Sequence, residues 1–203
     1  SVSALVATIE AKDEYTRGHS ERVTAYAMHV AKCIGLQPRR VATLELAGYL
    51  HDVGKIGVPE NILLKPGPLT EEEYEIVRQH PHVGSSIVQN IAGAEEIAEV
   101  VRHHHERWDG RGYPDKLRED EPSLAARILA VADAFDAMIS RRPYRPALKL
   151  DDVIEQLKQG RGTQFDPSIV EVFIEEVRRG RIMTDDTHAI TTDTDTVDLR
   201  LKL

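Results

Sequence analysis

Apolar residues recur at helical spacing along almost the whole chain, and no segment before residue 190 alternates in the manner of a strand. That pattern predicts an all-α fold. Val2, Leu5, Val6 and Ile9 mark a first helix, and Val23, Tyr26, Ala27, Val30 and Ala31 mark a second that Gly35 ends. Pro38 opens a third, which Val41, Leu44, Leu46 and Leu50 carry toward Gly54. A turn-rich connection over 59–68 follows, and Thr70 with Glu73 reads as a capping box opening the next helix. Further helices are expected from Pro81 onward and over 94–105, 123–140, 151–159 and 167–179, the last opened by the Asp166-Pro167 pair. Residues 106–120, with Gly110, Gly112 and Pro114 and little apolar content, read as a loop.

A length of 203 residues suits one well-cored domain, expected over 1–182, with a tail over 183–203 rich in Thr and Asp. The chain opens inside an apparent helix, which fits a domain cut from something longer. Val197, Leu199, Leu201 and Leu203 alternate as a strand does. Such a strand would pair with a second chain in a homodimer or belong to a neighbouring domain; a frayed tail is the plainer reading.

Composition narrows the function. The net charge of −8 gives a surface that repels long DNA or RNA, so a phosphate-bearing ligand must be held by a local cluster of cations or by metal. No apolar run reaches the roughly 20 residues of a membrane span, and the start lacks the pattern of a signal peptide. The single cysteine, Cys33, excludes an internal disulfide and a cysteine-based zinc cluster, and a reducing, cytoplasmic setting is expected.

The nine histidines are unevenly spread: His29 and His188 stand apart, and the other seven fall in short motifs. His51-Asp52 ends an apolar helix just before Val53-Gly54-Lys55. His19 lies upstream, and His80, the run His103-His104-His105 and Asp133 lie downstream. Adjacent His and Asp are common by chance, but here several such residues fall at helix ends or on faces lined by small apolar side chains. Buried imidazoles and carboxylates need partners, and a metal satisfies many at once. Imidazole with carboxylate suits iron, manganese, nickel or zinc. An aspartate has two oxygens and can bridge two ions; two ions about 3.5–4 Å apart share a water, lower its pKa and stabilise in-line displacement at phosphorus. Lys55, about one helical turn past His51, can set an ammonium on phosphate oxygens.

The string His51-Asp52-Val53-Gly54-Lys55-Ile56-Gly57-Val58-Pro59, followed by His104-His105-Glu106-Arg107-Trp108-Asp109-Gly110-Arg111-Gly112-Tyr113-Pro114, closely resembles the HD-GYP family, a branch of the HD-domain phosphohydrolases. Gly18-His19-Ser20-Glu21-Arg22-Val23, His80-Pro81-His82-Val83-Gly84, the run from Asp133 to Met138, Arg142-Pro143-Tyr144-Arg145 and Gly162-Thr163-Gln164-Phe165-Asp166-Pro167 extend the likeness over about residues 10–180. The resemblance implies a multi-helix HD-domain fold extended by C-terminal helices, with the metal site in the helical core. It also implies hydrolysis of cyclic di-GMP to the linear dinucleotide and, in some members, GMP, with metal-bound hydroxide as nucleophile. By the same resemblance His19, His51, Asp52 and Asp133 would hold one metal, and Asp52, His80, His104 and His105 a second, iron or manganese foremost, with nickel, cobalt or zinc as alternatives. Lys55, Arg142 and Arg145 would contact the substrate's phosphates. The loop through Gly112, Tyr113 and Pro114 is associated in the family with substrate access and signalling-protein partners.

One departure bears on metal number. Some members bind a third ion through a glutamate four residues before the first histidine, and Tyr15 stands there, so two metals are expected unless Glu14 or Asp13 is recruited. His82 and His103 are read as non-ligands, His29 as a packing or surface residue, and the Glu71-Glu72-Glu73 run as helix-start acids. Trp108 and Tyr113 are read either as guanine-stacking or as loop-ordering, and Asp136 as backing a ligand or as a surface acid. The expected function is a metal-dependent cyclic di-GMP phosphodiesterase. The alternatives are a non-catalytic module that senses the dinucleotide and a hydrolase of another cyclic dinucleotide or nucleotide.

Overall fold

The structure, a computed structural model, describes residue 12 and residues 18–140 and 147–182. The first expected helix, Asp13, Glu14 and Tyr15, the arginines Arg142 and Arg145, and the tail with its strand pattern lie outside the described residues. Within them the fold is helical, as expected. In order come α1 (His19–Ile34), α2 (Pro38–Leu50), a 3-10 turn (Val53–Gly57), α3 (Glu60–Leu63), α4 (Glu71–Val77), α5 (His80–Val88), α6 (Glu95–His103), α7 (Leu124–Ile139), α8 (Leu150–Gly160) and α9 (Pro167–Arg178). The only strand-like feature among the described residues is an isolated bridge from Arg161 to Phe165. None of these helices is long and apolar enough to cross a membrane.

Local signals account for most boundaries. Pro38, Pro81 and Pro167 sit in the first turns of α2, α5 and α9, where a missing N–H costs nothing. The Thr70 hydroxyl accepts from the Glu73 amide while the Glu73 carboxylate accepts from the Thr70 amide, so the capping box forms as read. Ser123 and Asp166 cap α7 and α9 through their side chains. Two helices stop short of the expected ends, and both stop at candidate ligands. At Asp52 the backbone turns to φ −93°, ψ 3°, and the chain tightens into the 3-10 turn instead of continuing α2 toward Gly54. After His103 the helix likewise gives way, with His104 as its last capping residue. The 59–68 connection holds one short helical turn, α3.

Helix α7 runs through the centre and packs against α1, α2, α6, α8 and α9. Its alanines Ala125, Ala126 and Ala132 let neighbouring helices approach, while Ile128, Leu129 and Phe135 fill the space between them. Phe135 meets Tyr26 edge-on, with ring centroids 5.4 Å apart, and tilts against Phe173 at 5.0 Å. Burial of such side chains, each contributing roughly 1.5–3 kcal/mol, holds the element that carries Asp133 and Asp136.

A second close approach fixes α5. A Cβ on Gly54 would lie 1.9 Å from the His80 carbonyl oxygen and 2.5 Å from the Gly84 amide, both backbone. Only glycine lets the 3-10 turn and the start of α5 meet backbone to backbone, and this contact brings His80 onto Asp52.

At the far side of α1, His29 is bonded rather than merely packed. Its Nε2 lies 2.7 Å from the Glu176 carboxylate on α9, which also accepts from Arg179 and Arg181. The His29 hydrogen bond, reinforced by Arg181 and Arg179 against the opposing effect of burial, depresses the Glu176 pKa to about 2. A depressed carboxylate contributes stability that is present above the unfolded pKa of about 4.3 and lost as pH falls toward the folded value. Glu176→Gln should therefore melt below the parent at pH 6, with the gap closing between about pH 4.5 and 2. Thermal unfolding followed by circular dichroism checks this, and a gap unchanged at pH 2.5 would reject it.

Candidate metal centre

The side chains named as ligands from the sequence converge where α1, α2, α5, α6 and α7 meet. His19 opens α1, His51 and Asp52 follow α2, His80 opens α5, His104 and His105 follow α6, and Asp133 projects from the middle of α7. They fall into two triads, each with ligand-type atoms within 4.8 Å of one another: His19, His51 and Asp133 in one, His80, His104 and His105 in the other.

Asp52 lies between the triads and turns one oxygen to each. Its Oδ1 is 3.4 Å from His80 Nε2, while its Oδ2 is 3.5 Å from His51 Nε2 and 3.9 Å from His19 Nε2. His19 Nε2 also lies 3.3 Å from Asp133 Oδ1. The Lys55 ammonium donates to Asp52 Oδ2 at 2.6 Å. The expected helical turn between His51 and Lys55 is replaced by the tighter 3-10 turn, and that geometry folds Lys55 back onto Asp52.

Three rings are aimed by backbone. The Nδ1–H groups of His51, His80 and His104 donate to the carbonyls of Gly48, Val77 and Val101, each three residues earlier, at 2.7, 2.8 and 2.7 Å. This bond fixes the tautomer and leaves Nε2 as the lone-pair nitrogen facing the centre. His51 Nε2 is buried and has no hydrogen-bond partner. The Nε2 atoms of His80 and His104 face each other at 3.3 Å. Buried nitrogens in this state carry an unrecovered desolvation cost that a cation would remove. The donor set therefore fits divalent metal.

Electrostatics separate the two triads. Burial and the neighbouring His105 push the His80 pKa down to about 3, and burial also lowers those of His104 and His105, so these rings are neutral. Burial would lower His19 as well, but hydrogen bonds to Asp133 and Asp136 outweigh it and raise the pKa to about 9. Asp52 and Asp133 are both held well below the usual carboxylate range. Burial opposes this, but Lys55 and the histidines around Asp52, and His19 at Asp133, prevail.

The centre forms the floor of a cavity of about 840 Å³ that also takes in Lys55, Lys65, Leu69, Tyr74 and Tyr113. That volume is of the size that encloses small organic ligands. Tyr113 reaches the cavity because its loop is fastened beside the ligands. Glu106, 6% exposed, accepts the backbone amides of Asp115 and Leu117, and Tyr113 N–H donates to the His105 carbonyl. The Tyr113 ring lies 4.9 Å from that of His105. A Cβ on Gly112 would come within 2.5–2.7 Å of the backbone of His105, Glu106 and Arg107, so the turn requires glycine. Pro114 follows at the half-buried rim.

Other histidines point elsewhere. His82 pairs with Arg102 on the exposed face of α5, and His103 lies between Glu99 and Asp115 at 2.9 Å from each. Trp108 lies under the Arg127 guanidinium and its amide bonds Gln164, which is the loop-ordering alternative. Asp136 is buried, against its reading as a surface acid. Spacing alone assigns no role to Arg22 or Glu106, although Arg22 stands one turn after His19 and Glu106 directly follows the His104-His105 pair. A further group, His29, Cys33 and Glu176, has metal-type donors, but its carboxylate already serves Arg179 and Arg181.

A model of the HD domain family matches residues 4–169. A cyclic di-GMP phosphodiesterase of Thermotoga maritima is 42% identical over 167 residues, which is 81% of this chain and 45% of that protein. The chain belongs to the HD-domain family, in its HD-GYP branch. This HD-GYP chain is also 40% identical over 183 residues to the cyclic di-GMP phosphodiesterase response regulator RpfG of Xanthomonas campestris, covering 89% of this chain and 47% of the relative. It thus spans about half the length of these curated relatives. Its helices superpose on the crystal structure of a cyclic GMP-AMP-specific phosphodiesterase of Vibrio cholerae with a TM-score of 0.67 at 17% identity, over 93% of this chain and 52% of that one, a likeness of fold.

Proposed function

We propose that this HD-GYP domain hydrolyses cyclic di-GMP to the linear dinucleotide with two divalent transition-metal ions, iron or manganese foremost, with nickel, cobalt or zinc as alternatives. The observation that carries the reading is Asp52, one oxygen toward each of two ligand triads, at the floor of a cavity large enough for a dinucleotide. The names of the Thermotoga and Xanthomonas relatives support the substrate. His19, His51, Asp52 and Asp133 would hold one ion and Asp52, His80, His104 and His105 the other. When bound, such ions supply Lewis acidity and a water of lowered pKa.

The chain's own residues do the rest. Asp52 fixes the spacing of the two ligand sets. Lys55, with its ammonium in the cavity wall, would hold a phosphate oxygen and compensate charge developing there. Arg142 and Arg145 would bind the substrate's phosphates, and Gly112, Tyr113 and Pro114 would form the rim through which substrate enters and signalling proteins dock.

The test is turnover by protein purified anaerobically, with elemental analysis of its metal and chromatography of the products. Cyclic di-GMP should yield linear dinucleotide faster than 3'3'-cGAMP or cyclic di-AMP. Binding without cleavage at full metal content would establish a sensing module, and preference for another dinucleotide would reassign the substrate. Lys55→Met should lower kcat by about 10²-fold, the scale of losing one charge-stabilising donor, with metal content unchanged; undiminished kcat would remove Lys55 from the reaction.

A further inference from the structure

Four histidines of the centre have an Nδ1–H partner, and one partner differs in kind. His51, His80 and His104 each donate to a backbone carbonyl, whereas His19 donates to a carboxylate, Asp136 Oδ2, at 2.7 Å. Asp136 is 1% exposed and both of its oxygens are engaged. Arg22 Nε donates to Oδ1 at 2.7 Å and Arg22 Nη2 to Oδ2 at 3.0 Å, while the Ser140 hydroxyl lies 3.3 Å from Oδ2. Asp136 therefore lies behind the ring and is not a ligand. The spacing accounts for the arrangement: Asp133 and Asp136, three residues apart, project from one face of α7, so His19 is clasped between them, Nε2 toward Asp133 and Nδ1 toward Asp136.

We propose that Asp136, locked by Arg22, is a positioning residue that orients His19 and fixes its tautomer, so that the His19–His51–Asp133 subsite depends on it and the His80–His104–His105 subsite does not. The proposal rests on the two-metal reading above. A carboxylate behind a ligating imidazole fixes ring and tautomer and strengthens the nitrogen as a donor more than a neutral carbonyl does. The charges are unequal in the same sense. One subsite has Asp133 in front of His19 and Asp136 behind it, while the other sets three imidazoles beside the shared Asp52.

The experiment titrates the metal-free chain with Mn(II) against a competing chelator and records the electron paramagnetic resonance of the loaded protein, for the parent, Asp136→Asn and Arg22→Gln. The parent is expected to bind two ions and give the spectrum of a coupled pair. Asp136→Asn should weaken one site by about 10–100-fold, as loss of an outer partner does, leave the other unchanged, and give an uncoupled Mn(II) spectrum at one equivalent per chain. Excess Mn(II) should restore the coupled spectrum and most of kcat, since both Asp136 oxygens are taken up by His19, Arg22 and Ser140. Arg22→Gln, which leaves the His19–Asp136 bond in place, should give a smaller shift at the same site. Unchanged affinity at both sites, or equal weakening of both together with a lower melting temperature, overturns the proposal. A parent chain that binds fewer than two ions overturns it together with the two-metal reading, and the parent titration alone reveals that case.

Discussion

Asp52→Ala is expected to abolish turnover, by about 10³-fold or more, and to uncouple the two triads. The size follows from what a single carboxylate does in this fold. Removing an outer partner of a metal ligand costs about 10–100-fold, and Asp52 faces both triads directly, at 3.4 Å from His80 and 3.5 Å from His51. Its loss also takes a counter-charge from Lys55 and His19. The surrounding helices are anchored by Phe135, Leu44 and Val53 rather than by Asp52, so the far-ultraviolet spectrum should be retained. Metal analysis and single-turnover assays check the expectation. A variant that keeps two ions and full activity would mean that Asp52 bridges nothing, and the proposed chemistry would fail with it.

Gly54→Ala is expected to be nearly as damaging although it removes no functional group. The new methyl would lie 1.9 Å from the His80 carbonyl oxygen, and no rotamer can relieve a clash between two backbones. Either the 3-10 turn or α5 must retreat, which carries His80 away from Asp52. Overpacking of this kind costs about 3 kcal/mol, which for a domain of this size corresponds to a fall of roughly 6–12 °C in Tm. Metal content should drop as well, because the two triads lose register. The measurements are a melting curve and elemental analysis. A variant that melts with the parent and holds the same metal would show that this contact does not set the site.

Much of the architecture is legible in the residues. Helical periodicity, the prolines at helix starts and the Thr70–Glu73 box specify elements through local physics, and those elements form where expected. The candidate ligands also stand out, because histidines and aspartates at helix ends beside small apolar residues are costly to bury unless something binds them. What escapes the sequence depends on contacts between elements distant along the chain. The pairing of Asp136 with His19 spans 117 positions, and the choice for Asp136 between surface and interior is made by the docking of α1 on α7. The tight turn after α2 is invisible because Gly54 there meets the backbone of α5, a demand that periodicity does not encode. Glu106 is hidden for a related reason: a carboxylate that accepts two amides of a following loop leaves no pattern of spacing.

The carbonyl bonds behind His51, His80 and His104 have a consequence for how the domain acquires metal. Each ring is immobilised by its own chain during folding, which takes up about 1 kcal/mol of rotamer entropy per side chain. Little disorder then remains to be lost when a cation arrives. Capture at these rings should accordingly show a small entropic penalty and little change in secondary structure, and the metal-free domain should persist as a folded receptor rather than await metal in order to fold.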